Sequence, residues 1–369
     1  MATIYERLGV QTFINARGTI TTLGGSVMPA DVVEAMAQAS RHFVQLDELQ
    51  KKADARICEL TGAPGAFICS GAASGMLLSG AACLTGSDND AIAALPETAG
   101  RPNQFVISLV DAHYYVHQGF AVSGGELVRI GSRESVTPKD YADAITQQTA
   151  AVVYFLGSQP DDELGEIVEI AHARNVPVIV DAAAQLPPRS NLTDLATKVG
   201  ADLVVFSGGK GLFGPQASGL ILGRADLIEA ARLNSSPFSG IGRGMKVGKE
   251  EIAGLLRAVE LFFEQDEDAL IGEWARRCRL IGAVAEQIDG VEAVYHAPFS
   301  HRFPPASPLL DLTFSATAKQ TAAAVRQQLQ EGEPSILSSG GEESIRFGPQ
   351  TLQDGEAEII AQRLQAILS

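Results

Sequence analysis

Cysteine is scarce in this chain: 4 of 369 residues, Cys58, Cys69, Cys83 and Cys278, with no C-x-x-C pair among them. That excludes a disulfide-stapled scaffold, and the lack of His/Cys clusters at ligand spacing excludes a zinc site, so no metal is expected. The four read as small buried hydrophobes in a reducing compartment. Positive charge is also short, with 28 Lys and Arg against 44 Asp and Glu and a formal net charge of −16. Neither nucleic acid nor an anionic membrane is expected as a partner, because both need clustered Lys and Arg. A local basic pocket for a small anion stays compatible with that balance. Met1 to Val10 carries Glu6 and Arg7 and lacks the apolar core of a secretory signal. Thr61 to Ser87 contains no charged residue and includes Gly71-x-x-x-Gly75, yet its six glycines and Pro64 leave it too weakly apolar to span a bilayer. The expectation is a soluble, cytoplasmic protein.

A chain of 369 residues, 46% hydrophobic and 20% charged, has ample material for a core and for two domains. Its first two thirds alternate short apolar runs with helix-length segments. Ala66–Cys69, Gln104–Ile107, Leu127–Ile130, Ala151–Leu156, Val176–Val180, Leu203–Phe206 and Leu220–Leu222 read as strands. Runs that are apolar on both faces predict a mostly parallel sheet covered on both sides, hence an α/β fold. Helices are predicted over 72–84 and 163–174. From about Lys249 the texture becomes α+β, with helices over 250–264, 268–287, 317–330 and 355–368 and strands near 291–295, 309–313 and 344–347. The expected division is therefore 1–248, a large domain with its N-terminal segment, and 249–369, a small C-terminal domain. The Pro-rich stretch 296–308 reads as a loop.

Three strand ends carry the chemistry. Cys69-Ser70-Gly71-Ala72-Ala73-Ser74-Gly75 is a strand entering a small-residue turn that opens a helix. Free backbone N–H groups at a helix start suit a phosphate, with Gly71 and Ala72 allowing close approach and Ser70 able to donate; a simple packing turn explains the same residues equally well. Asp181 ends the buried strand Val178-Ile179-Val180, at the edge where open α/β sheets place ligands. A buried carboxylate there needs a partner, and a helix cap or a structural ion pair would also serve. Val205-Phe206-Ser207-Gly208-Gly209-Lys210-Gly211 fails the G-x-x-x-x-G-K-[ST] test, which leaves a lysine leaving a buried strand through a Gly-Gly turn. Such a lysine is either solvated or an amine nucleophile. Phosphate cup, Asp181 and Lys210 together specify pyridoxal 5'-phosphate, which needs a phosphate site, a carboxylate for its pyridine nitrogen and a lysine for covalent attachment.

The stretches Pro177-Val-Ile-Val-Asp-Ala-Ala-Ala-Gln-Leu-Pro-Pro188 and Phe206-Ser-Gly-Gly-Lys-Gly-Leu-Phe-Gly-Pro-Gln-Ala-Ser-Gly219 resemble the selenocysteine-synthase-like family of fold-type I enzymes. Ile14-Asn15-Ala16-Arg17-Gly18, Leu23-Gly24-Gly25-Ser26 and the segment Gly242 to Glu251 carry the same likeness, which is greatest toward the branch containing D-glucosaminate-6-phosphate ammonia-lyase. Where that branch reads His-Arg-x-x-Tyr-Asp, this chain has His113-Tyr114-Tyr115-Val116-His117-Gln118, which keeps the histidine and alters its neighbours.

The resemblance implies a fold-type I large domain with a seven-stranded sheet. It also implies a homodimer or higher homo-oligomer acting on a small-molecule amino acid. It makes Lys210 the cofactor-bearing residue that later moves the Cα proton, and Asp181 the partner of the pyridine N–H. Ala183 packs under the ring, and Ser207 either reinforces the phosphate cup or caps its turn. His113 stacks on the ring and protonates a leaving hydroxyl, while His117 is structural. Asn15 and Arg17 become substrate contacts, and Arg346 a fork for a substrate carboxylate or else a surface arginine. Arg243, with Lys246 and Lys249, is a candidate anion site or a solvated helix start. The expected reaction is α,β-elimination from a small polar or anionic hydroxy amino acid, giving a 2-keto acid and ammonia. Racemisation, β-replacement and a non-catalytic cofactor-binding scaffold are the alternatives. A dehydrogenase is excluded by the absence of G-x-G-x-x-G in a βαβ setting.

Overall fold

A computed structural model describes residues 2–98, 100–300 and 305–369. Among the described residues the strands are β1 (Phe13–Asn15), β2 (Gly65–Cys69), β3 (Gln104–Ser108), β4 (Glu126–Ile130), β5 (Thr149–Phe155) and β6 (Val178–Asp181), then β7 (Leu203–Ser207), β8 (Gly219–Gly223), β9 (Val291–His296), β10 (Leu309–Phe314), β11 (Ser335–Leu337) and β12 (Ser344–Phe347). The chain forms two compact units, 28–265 and the chain up to Val27 together with Asp266–Ser369.

In the unit 28–265, seven strands make one sheet in the order β2-β8-β7-β6-β5-β3-β4. Pairings are parallel except at β8, which runs against both β2 and β7. The alternation of the strand sequences sorts their side chains to two cores. Val106, Val152, Tyr154, Val178, Val180 and Val204 face one, and Phe105, Ile107, Val153, Ile179 and Val205 the other. The uncharged stretch 61–87 is explained by burial inside the protein. It supplies β2 and the helix Ala72–Thr85, which packs against the helices Tyr114–Val122 and Ala225–Asn234 and under the sheet. Among the described residues no helix is long and apolar enough to cross a membrane.

The other unit packs the helices Glu267–Ala285, Ala322–Glu331 and Glu356–Leu368 around a three-stranded antiparallel sheet in the order β12-β10-β9. The compact units divide the chain differently from 1–248 and 249–369. The helix Lys249–Glu264 packs on the helices Ala30–Ser40 and Leu46–Thr61, which places it in the large unit. The N-terminal segment joins the small unit because β1 pairs in parallel with β11, an association too short to leave a periodic signal. In the expected loop 296–308, residues 297–300 and 305–308 lack strand or helix, and 301–304 fall outside the described residues.

Candidate active site

β2, β3, β5, β6 and β7 all point the same way, so the residues that follow them gather along one sheet edge. Ser70, Gly71 and Ala72 come after β2, Asp111 and His113 after β3, and Ser158 after β5. Asp181 and Ser207 end β6 and β7, with Lys210 three residues on. This is where parallel sheets expose free loop backbone and collect ligands.

At the first turn Gly71 has φ +101, a conformation that glycine adopts without strain, and it caps the helix Ala72–Thr85. The antiparallel strand β8 starts directly behind it: a Cβ on Gly219 would lie 2.5 Å from the Gly71 carbonyl carbon and 2.8 Å from Ala72 N. Glycine at 219 therefore lets two backbones touch and fixes the turn. Ser74 Oγ donates to Gly71 O at 2.7 Å and Ser70 Oγ to Ser74 Oγ at 3.3 Å, which leaves the first-turn N–H groups for an external anion.

Asp181 Oδ1 accepts from Ala183 N at 3.0 Å, so Ala183 sits half-buried against the carboxylate. Burial raises the Asp181 carboxyl above the usual carboxylate range, with the Ala183 N–H and the Lys210 charge opposing it. Burial lowers the Lys210 ammonium from its ordinary value, against the pull of Asp181 and Asp111. An amine that loses its proton easily and a carboxyl that needs a cationic partner are complementary deficits. The loop bearing Lys210 is closed on itself. Gly208 N donates to Ser218 O at 2.9 Å, Gly214 N to Gly208 O at 2.8 Å and Phe213 N to Lys210 O at 3.0 Å. Ser207 lies half-buried at its root.

His113 Nδ1 lies 2.9 Å and 3.1 Å from the two oxygens of Asp111, and the His113 backbone N–H donates to Oδ1 at 2.7 Å. Ser158 Oγ donates to Oδ2 of the same carboxylate at 3.0 Å. The Asp111 bond raises the His113 pKa, and Asp181 and Lys210 are near enough to act on it. Tyr115 presents its ring edge-on at 5.6 Å. Asp111 is a site residue that the sequence reading missed; its signal is a carboxylate two residues before the histidine, just past a buried strand. His117 is buried and stacked on Phe155 at 5.7 Å, with neither ring nitrogen bonded among the described residues. Burial lowers its pKa from the ordinary imidazole value.

Other expected contacts are engaged elsewhere. Asn15 Oδ1 accepts from Arg17 N at 2.9 Å and Nδ2 donates to Gly18 O at 3.0 Å, so its side chain builds its own turn; Arg17 is exposed. The Arg346 fork is closed on Asp311, with Nε to Oδ1 at 2.7 Å and Nη2 to Oδ2 at 2.6 Å, rather than open to a substrate carboxylate. Lys249 bonds Ala39 O at 2.8 Å and Glu250, which removes it from the anion cluster. Arg243 is exposed and, among the described residues, its side chain bonds the Ser236 hydroxyl at 3.3 Å.

Pyridoxal phosphate fits this set of residues: a backbone anion turn, a half-buried carboxyl raised by desolvation and a half-buried amine lowered by it meet at one edge. Residues 13–288 match the family described as L-seryl-tRNA selenium transferase (SelA). The chain belongs to this family. It is 32% identical to a 5'-C-glycyluridine monooxygenase-decarboxylase from Streptomyces sp, over 99% of this chain and 92% of that protein. It is 30% identical to a D-glucosaminate-6-phosphate ammonia lyase from Salmonella typhimurium, over 99% and 97%. A solved structure of D-glucosaminate-6-phosphate ammonia-lyase superposes with a TM-score of 0.83 at 28% identity, covering 100% of this chain and 98% of that one. This SelA-family chain is thus a fold-type I, pyridoxal-phosphate-dependent enzyme of lyase type, with the mostly parallel seven-stranded sheet of that class.

Proposed function

We propose that the protein removes ammonia from a small polar or anionic hydroxy amino acid by α,β-elimination, leaving a 2-keto acid. The observation that carries this reading is the meeting of a depressed amine, Lys210, with a histidine made acidic-competent by its aspartate, His113, at one sheet edge. Elimination needs both, because one proton must leave Cα and another must reach the departing oxygen. When bound, pyridoxal phosphate supplies the sink for the electron pair left at Cα. Ser70, Gly71 and Ala72 would hold its phosphate, with Ser207 alongside. Asp181 would keep its pyridine nitrogen protonated, and Ala183 would pack against it.

Lys210 Nζ takes the Cα proton, and His113 Nε2 gives a proton to the β-hydroxyl, which departs as water. The unsaturated amine then takes up one water and releases ammonia, so the net loss is ammonia alone. Arg243 is the cation offered to an anionic side group of the substrate. The relation to D-glucosaminate-6-phosphate ammonia lyase supports this chemistry and a hydroxylated substrate.

The test is ammonia and keto-acid release from a panel of D- and L-hydroxy amino acids in heavy water. Wild type is expected to release both, and Lys210→Ala to lose its near-visible absorption band and at least about 1,000-fold of turnover. Exchange of Cα hydrogen without ammonia would replace this reading with racemisation. Oxygen uptake with carbon dioxide release would instead align the chain with its monooxygenase-decarboxylase relative.

A further inference from the structure

The carboxylate of Asp111 is nearly inaccessible, with 5% of its side chain exposed, whereas the His113 ring it holds is 59% exposed. One aspartate thus anchors an open imidazole from beneath. Both of its oxygens lie within bonding distance of Nδ1, one also takes the His113 main-chain N–H, and the other takes the Ser158 hydroxyl. Among the described residues His113 Nε2 has no bonded partner, so it is the nitrogen left to exchange a proton. Such an arrangement fixes three things together: the ring plane, the nitrogen that donates inward, and a negative charge that favours the doubly protonated ring.

We propose that Asp111, braced by Ser158, is the positioning residue that holds His113 as the proton donor to the leaving group. This rests on the elimination reading for the chemistry it serves, but the pairing itself is independent of which substrate is used. The site then spans three strand ends in a defined order, Ser158 after β5, Asp111 and His113 after β3, with Lys210 after β7 on the side of Cα proton removal.

The charged groups acting on His113 are Asp111 first, through its bond and its field, then Asp181, which also raises the pKa, and Lys210, which lowers it. Partial burial of the ring lowers it as well. Asp111 itself is raised by burial, but bonds from His113 and Ser158 outweigh this and leave it below the ordinary carboxylate range, so it is the ionised partner. The sign follows directly: a raised His113 pKa keeps the ring protonated to higher pH, and neutralising Asp111 moves its titration to lower pH. Asp111→Asn retains an oxygen for the His113 main-chain N–H, so the turn survives while the charge is lost.

The experiment is a titration of ring-labelled histidine by NMR in the cofactor-loaded enzyme, with the His113 signal assigned by its loss in His113→Gln. The midpoint is expected to fall by about one pH unit or more in Asp111→Asn, and to move by less in Ser158→Ala. In turnover, the alkaline limb of kcat moves down by the same interval, while the cofactor absorption band is retained. An unchanged His113 midpoint in both variants overturns the proposal, as does a uniform fall in kcat with the limb in place, which is what a merely structural Asp111 would give. The NMR midpoint needs no turnover, so a wrong choice of substrate or reaction would silence the kinetic arm and leave this arm intact.

Discussion

Two histidines of the large unit each rest a ring nitrogen on an aspartate, at opposite edges of the same sheet. His172 Nε2 meets Asp202 at 2.8 Å beside the start of β7, and His113 meets Asp111 beyond the end of β3. Both aspartates are buried and both rings are partly open to solvent. They differ in what else bonds the carboxylate. Asp202 also takes the Arg224 guanidinium at 3.0 Å and the Val178 main-chain N–H at 2.8 Å, tying the start of β6 to the residue after β8. Among the described residues, Asp111 takes a serine hydroxyl and no guanidinium besides its own histidine. In the small unit Asp311 follows the first pattern, sharing its charge between His296 and Arg346. A permanent guanidinium satisfies an aspartate whatever the histidine does, which makes the group a structural tie. Without one, the negative charge is left for the imidazole, which is the pairing that the proposed acid role of His113 requires.

Substitutions on the two sides should break apart in kind. His113→Gln is expected to lower ammonia release by about 100-fold, with the thermal midpoint nearly unchanged. Parallel loss of stability and activity would deny His113 its chemical role. Asp202→Ala should do the reverse. It leaves the buried Val178 N–H unpaired while Arg224 stays held by Asp226, so denaturant unfolding should show a loss of about 2 kcal/mol, with turnover per folded molecule preserved. The smallest effect is expected from His172→Gln, under about 1 kcal/mol, because Arg224 and the main chain still hold Asp202; no limb of the pH–rate profile should shift. A displaced limb there would erase the distinction between the two edges.

Much of this was readable in the sequence, for identifiable reasons. Strands buried on both faces announce themselves as short apolar runs, and all seven of the large sheet were found within two residues or so of their ends. That the turn after β2, Asp181 and Lys210 lie at strand ends is legible because each sits just past such a run. What escaped depends on partners distant in sequence. β1 and β11 are three residues each and pair across the length of the chain. The Arg346 fork was legible as an arginine but not as one already closed by Asp311, since that partner lies on a neighbouring strand. Asn15 looked like a contact and is a turn former, because an Asn side chain serves its own backbone as readily as a ligand. Asp111 is not legible from the sequence, because its bond to the His113 ring depends on that ring folding back over two residues.

The reversal of β8 governs how far the lysine can travel. Its backbone leaves one strand and re-enters the adjacent one, which lies against the strand leading to the phosphate turn, so displacing it would mean unzipping three neighbours together. Only its own four methylenes are left for Lys210 to move on, so the tether and the proton carrier proposed above would have to share the short arc that this side chain can sweep.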